Sequence, residues 1–137
     1  MFFEWGKEFE TGVPQMDKQH KNLFKLAREF YTTLKSSNRD KAREKLLAFT
    51  DALKAHLIDE ERFMEEIKFP ELEDHKKLHQ NLREMIEEVK EEFERNDHKA
   101  YQRSISLIMS WLFTHIKKSD KKYGEFIIHS IHGKKIR

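Results

Sequence analysis

The chain has 137 residues, and its 27 lysines and arginines against 25 aspartates and glutamates leave a formal net charge of only +2. So even a balance offers no basic face for nucleic acid, and the absence of cysteine excludes disulfides, zinc ribbons, iron–sulfur clusters and thiol catalysis. No stretch is long and apolar enough to span a membrane, and the opening MFFEWGKEFETG lacks the basic and apolar regions of a secretory signal, so a cytoplasmic location is expected.

Glycine and proline are scarce, at four and two, and β-branched runs are absent, which is the composition of an all-helical protein. The length fits one domain over residues 1–137. Residues 1–16 read as an irregular, aromatic-rich arm with Gly12 and Pro14. A first helix is expected from Asp17, as its N-cap, to Lys35, with Ser36-Ser37-Asn38 as a loop. A second runs from Arg39 to Ile67 and is expected to end because of Pro70. A third spans Glu71 to Glu94, and Asn96-Asp97 breaks the pattern and caps a fourth from His98 to Lys118. A short amphipathic tail follows, with Phe126, Ile127, Ile128 and Ile131. Short loops between long helices predict an antiparallel up-and-down four-helix bundle with an N-terminal arm and a C-terminal helical tail.

The apolar spacing marks one buried face on each helix. In the second it reads Leu46, Phe49, Leu53, His56, Glu60, Met64, Ile67. In the third it reads Leu72, His75, His79, Leu82, Ile86, Val89, Phe93, and in the fourth Tyr101, Ile105, Ile108, Leu112, His115. Five polar residues thus stand in core positions, where an unpartnered group costs about 1–3 kcal/mol. Connectivity explains them together. The start of helix one, the end of two, the start of three and the end of four share one end of such a bundle. His20, His56, Glu60, His75, His79, His115 and Asp120 therefore converge there. His98, His129 and His132 fall outside.

Seven nitrogen and oxygen ligands are too many for one tetrahedral zinc and suit two octahedral metals sharing bridges. Histidine with carboxylate suits iron, although manganese, cobalt and zinc fit the same ligand types. Glu60 and Asp120 can each bridge with two oxygens. One difficulty is geometric: His115 and Asp120 are five residues apart, which a regular helix turns about 140° from each other. The helix is therefore expected to end or loosen over Lys117-Lys118-Ser119.

At these residues the chain resembles the hemerythrin family, in particular its single-domain bacterial form, bacteriohemerythrin. The matching segments are Trp5, TGVPQMDKQH ending at His20, HLIDEERFM from His56, HKKLH from His75 to His79, and WLFTHIKKSD from Trp111 to Asp120. The resemblance implies two iron ions with an oxo or hydroxo bridge. One would be held by His75, His79 and His115, the other by His20 and His56 only, with Glu60 and Asp120 bridging. The iron with two histidines keeps an open position, where dioxygen would bind reversibly for storage, transport or delivery. With helical spacing, the resemblance also implies that Leu23, Trp111, Leu112 and Ile116 line the oxygen pocket. The chain departs from the family in carrying Leu57 where an aromatic residue is usual.

The same residues speak against two enzymatic readings. An oxygen-activating enzyme of the ferritin-like class would carry Glu-x-x-His pairs, and Asp17, Leu53, Leu72, Lys76 and Leu112 precede the cluster histidines by three instead. A zinc hydrolase would show H-E-x-x-H, but Leu57 follows His56. No enzyme is therefore expected. The alternative that keeps the same site is sensing or scavenging of oxygen, nitric oxide or redox state. Lys117, Lys118, Lys121, Lys122, Lys134, Lys135 and Arg137 form a cationic end that could dock an acidic, oxygen-consuming partner. The bacterial form suggests a monomer.

Overall fold

Apolar residues three and four apart leave each long segment one face to bury, and in the computed structural model those faces meet. The structure describes residues 4–36 and 38–136, with side chains as far as 130. Expectations for Ser37 and for the side chains of Ile131, His132, Lys134, Lys135 and Arg137 lie outside the described residues. Helices α1 (Pro14–Leu34), α2 (Arg39–Glu66), α3 (Leu72–Glu94) and α4 (His98–His115) form the antiparallel bundle. A π turn, Ile116–Asp120, joins α4 to α5 (Lys121–Ile136). Helix α1 packs on α2, α2 on α3, and α3 on α4. No helix among the described residues is long and apolar enough to cross a membrane.

The helix ends differ from expectation in instructive ways. Helix α1 starts at Pro14, not at Asp17, because proline at the first helical position gives up a donor that has no partner there anyway. Asp17 is not a cap. Its carboxylate accepts from the backbone N–H and the hydroxyl of Thr11, at 2.8 and 2.7 Å, and so pins the arm to the first turn. Helix α2 stops before Pro70 can act. Lys68 takes a left-handed φ of 57°, and the Lys68 and Phe69 amides donate to the Glu65 and Met64 carbonyls, closing a Schellman turn. Asn96, with φ 60°, closes α3 the same way through Phe93 and Glu92. Asn38 and Asp97 cap α2 and α4 through the Lys41 and Ala100 amides.

Two apolar clusters result. The main core runs along the bundle through Phe24, Phe30, Phe49, Leu53, Leu82, Ile86, Ile105 and Ile108. Burying such side chains contributes about 1.5–3 kcal/mol each before the entropy of ordering is subtracted. The smaller cluster, Val13, Met16, Met64, Phe69 and Tyr123, closes the end where α2 turns into α3. The tail is therefore a structural cap, α5, which brings Tyr123 under the bundle. It docks closely: a Cβ on Gly124 would lie 1.8 Å from the Thr11 carbonyl oxygen.

The arm is not loose either. It carries a 3-10 turn at Lys7–Phe9, and Phe9 packs edge-on to Phe24 at 4.9 Å. Trp5 lies 5.5 Å from Phe24 and 6.3 Å from His20. Aromatic rings thus cover the flank of α1 beside its histidine.

Candidate metal centre

The seven residues singled out by spacing come together between the two apolar clusters. His20 stands on α1, His56 and Glu60 on α2, His75 and His79 on α3, His115 at the end of α4 and Asp120 at the end of the π turn. The π turn is the loosening that His115 and Asp120 require. Its wider winding brings residues five apart onto one side, and single π turns of this kind recur at functional sites. All seven are buried.

They form two groups that share both carboxylates. One is His75, His79 and His115 with Glu60 and Asp120; the other is His20 and His56 with the same Glu60 and Asp120. The ligand atoms of each group lie within 4.8 Å of one another. Each carboxylate turns one oxygen to each side. Glu60 Oε2 is 3.1 Å from His20 Nε2 and 3.2 Å from His56 Nε2, whereas Oε1 is 3.0 Å from His79 Nε2. Asp120 Oδ2 is 3.1 Å from His20 Nε2, whereas Oδ1 is 2.8 Å from His75 Nε2 and 2.9 Å from His115 Nε2.

The electrostatics follow from two carboxylates in a buried interior. Burial opposes charge on His20, but Asp120 and Glu60 beside it outweigh burial and push its pKa up to about 10. The same balance pushes His75 up to about 9 and raises His79, where Glu61 acts alongside Glu60. Burial would raise Glu60, yet the charge on His56 and the histidine hydrogen bonds hold it well below the carboxylate range. Asp120 is lowered too, by His115 and His20, against burial and the charge of Glu60. The pair demands positive charge, which protons on the histidines or a pair of metal ions supply.

The donor set fits the second supply. Glu60 Oε1, His79 Nε2 and Asp120 Oδ2 are fully buried and have no aligned hydrogen-bond partner among the described residues. Polar atoms left so cost about 1–3 kcal/mol each, and all three are ligand atoms of the shared groups. Five imidazoles and two carboxylates shared between the groups suit metals of the iron class.

The Hemerythrin HHE cation binding domain matches residues 11–127. The chain belongs to the hemerythrin family. The bacteriohemerythrin of Clostridium acetobutylicum is 26% identical over 126 residues, which cover 88% of this chain and 98% of that one. The bacteriohemerythrin of Methylococcus capsulatus is 29% identical over 117 residues, covering 85% and 89%. The myohemerythrin of Theromyzon tessulatum is 28% identical over 121 residues, covering 88% and 90%. A crystal structure of wild-type hemerythrin superposes with a TM-score of 0.78 at 28% identity, over 89% of this chain and 95% of that one. The hemerythrin domain implies a non-haem di-iron centre, and the buried histidines and carboxylates form a cluster able to bind metal.

Of the hemerythrin pocket residues expected from the sequence, Leu23, Leu112 and Ile116 are buried in the main core. Leu23 also borders a groove of about 220 Å³ with Gln19, Ala52 and His56, on the two-histidine side. Trp111 is placed differently. It is half-buried and stacks on His115 at 4.5 Å, so it covers the three-histidine side. His98 pairs with the Tyr101 hydroxyl at 2.7 Å, and His129 is exposed, both outside the cluster. Among the expected docking cations, Lys122 lies 3.5 Å from Glu71 and Lys117 sits over the Phe9 ring.

Three further residues touch the cluster that spacing did not single out. The Tyr123 hydroxyl donates to Glu60 Oε2 at 2.9 Å. Burial pushes its pKa well up, with Glu60 and Asp120 adding to the effect, so it stays a donor. Gln19 meets His56 Nδ1 at 2.6 Å, and Glu61 meets His79 Nδ1 at 2.9 Å. Gln19 and Glu61 each adjoin a cluster residue in sequence, His20 and Glu60, which was the available signal. Tyr123 gave only its place in an amphipathic tail.

Proposed function

We propose that this chain binds dioxygen reversibly at a pair of iron ions, for storage or delivery. His75, His79 and His115 hold one ion and His20 and His56 the other, with Glu60 and Asp120 bridging. The reading is carried by the division of oxygens, each carboxylate offering one to the two-histidine group and one to the three-histidine group. When bound, the iron pair supplies the reversible attachment of dioxygen that the family implies.

The protein's own part is to fix the ligands and keep the site dry. Tyr123 holds Glu60, Gln19 holds His56 and Glu61 holds His79, so the cluster has little freedom to rearrange. That favours a binder over a catalyst, whose carboxylates must shift during reaction. Leu23, Leu112 and Ile116 form apolar walls that admit a small apolar gas and slow the delivery of protons.

Metal analysis with visible spectra through anaerobic reduction, air and deoxygenation tests the proposal. Two irons per chain and a charge-transfer band that comes and goes with oxygen are expected. Irreversible oxidation at first exposure would point instead to sensing or oxidase chemistry, and an iron-free protein would overturn the reading.

A further inference from the structure

Gln19 reaches from α1 to α2 and touches two residues there. Its Nε2 donates to Asp59 Oδ2 at 3.2 Å, and its Oε1 lies 2.6 Å from His56 Nδ1. A carboxylate only accepts, so Asp59 decides which end of the amide faces His56. The carbonyl end in turn requires the His56 proton on Nδ1. That leaves the Nε2 lone pair free on the side of Glu60 Oε2.

On the opposite side His79 Nδ1 faces a charged acceptor, Glu61 Oε2, at 2.9 Å. Arg83 donates to the same oxygen at 2.6 Å and holds it in place. Glu61 sets the His79 tautomer as Gln19 sets that of His56, but with a different electronic effect. A carboxylate draws the Nδ1 proton toward itself and makes Nε2 a stronger donor, whereas a neutral amide does so much less. The other histidine of the two-histidine group, His20, has a buried Nδ1 with no hydrogen-bond partner among the described residues. Neither imidazole on that side therefore has a charged outer partner.

We propose that Glu61 and the Asp59–Gln19 pair are positioning residues that polarise the metal pair. Glu61 makes the three-histidine position the electron-rich one, filled first. Gln19, oriented by Asp59, fixes His56 for binding yet leaves the two-histidine position electron-poor, which favours the ferrous state where the coordination is incomplete. The inference rests on the assignment of the seven residues to a metal pair.

Cobalt(II) titration of the metal-free full chain, followed by calorimetry and visible absorption, tests it together with the reduction potential of the iron-loaded protein. The unmodified chain should take two cobalt ions in sequence. Glu61→Gln should weaken the first step by about 10–100-fold and raise the reduction potential. Gln19→Glu should tighten the second step and lower the potential. Asp59→Asn, which frees the Gln19 amide to turn over, should weaken the second step alone. Gln19 and Glu61 are only half-buried, and helicity by circular dichroism checks that each variant is folded. Unchanged cobalt steps and potential in both Glu61→Gln and Gln19→Glu would overturn the proposal. Failure of the unmodified chain to bind two ions would overturn the metal-pair reading itself.

Discussion

Removing one oxygen atom, by Tyr123→Phe, tests how α5 serves the site. The ring stays: its edge contacts with Phe63 at 5.5 Å and Phe69 at 6.5 Å need no hydroxyl. What is lost is the 2.9 Å hydrogen bond to Glu60 Oε2, between two fully buried side chains. Hydrogen bonds to a charged acceptor contribute about 1.5–3 kcal/mol. The metal-free chain should therefore lose about 2 kcal/mol, which at a urea slope of about 2 kcal/mol/M lowers the midpoint by about 1 M. In the loaded protein Glu60 loses its outer hold, and metal affinity should fall about 10–100-fold. Tyr31→Phe is the control. Its hydroxyl pairs with Ser106 Oγ at 3.1 Å, a neutral pair away from the cluster, worth about 0.5–1.5 kcal/mol and nothing to the metal. A Tyr123→Phe midpoint within about 0.2 M of the parent, with metal held equally well, would refute the reasoning.

The metal-free chain should lose stability as pH rises above 6.5. His20 and His75 have folded pKa values near 10 and 9 against an ordinary 6.5, so their stabilisation is complete below 6.5 and disappears as pH climbs through those values. Loading with metal should flatten that dependence, because the ions replace the protons; equal urea midpoints for the metal-free chain at pH 6.5 and 10 would contradict the assignment. Gly124→Ala places a methyl 1.8 Å from the Thr11 carbonyl and should destabilise by about 2 kcal/mol or more, with hydrogen exchange faster in the arm and α5 together. Exchange confined to α5 would mean that the arm is held independently of it. Leu23→Ala should cost about 2–5 kcal/mol and speed oxidation of the iron-loaded protein. An unchanged oxidation rate would remove Leu23 as a guard of the two-histidine side.

Much of this was legible in the chain itself. Helices α2 and α3 could be read from their spacing because the 3.6-residue period fixes which side chains share a face, whatever lies opposite. Connectivity then put His20, His56, Glu60, His75, His79, His115 and Asp120 at one end, since alternating directions leave no other arrangement. Even the break between His115 and Asp120 followed from the angle between them. The start of α1 was less legible, because Asp17 is a strong local signal that a tertiary contact overrode; α2 ends within one residue of the expected Ile67, by a left-handed turn ahead of Pro70. Lys68 accepts a left-handed turn since Phe69 and Met64 gain burial from it, and Asp17 serves Thr11 of the packed arm.

The outer hydrogen bonds and the cap were decided only by the tertiary structure. Tyr123 lies 63 residues from Glu60 and Gln19 lies 37 from His56, and no periodicity relates residues on different helices. Periodicity assigns a side chain to a face; which atom it meets there depends on how the helices are rotated and staggered. Trp111 shows the same limit, since it occupies a position consistent with the pocket yet stacks on His115. The sequence by itself determined that seven ligands share one end of a bundle, because faces and directions are local properties. Only packing decided which oxygen of Glu60 turns to which histidines and which residue holds each ligand, because those depend on distances between helices that no single helix encodes.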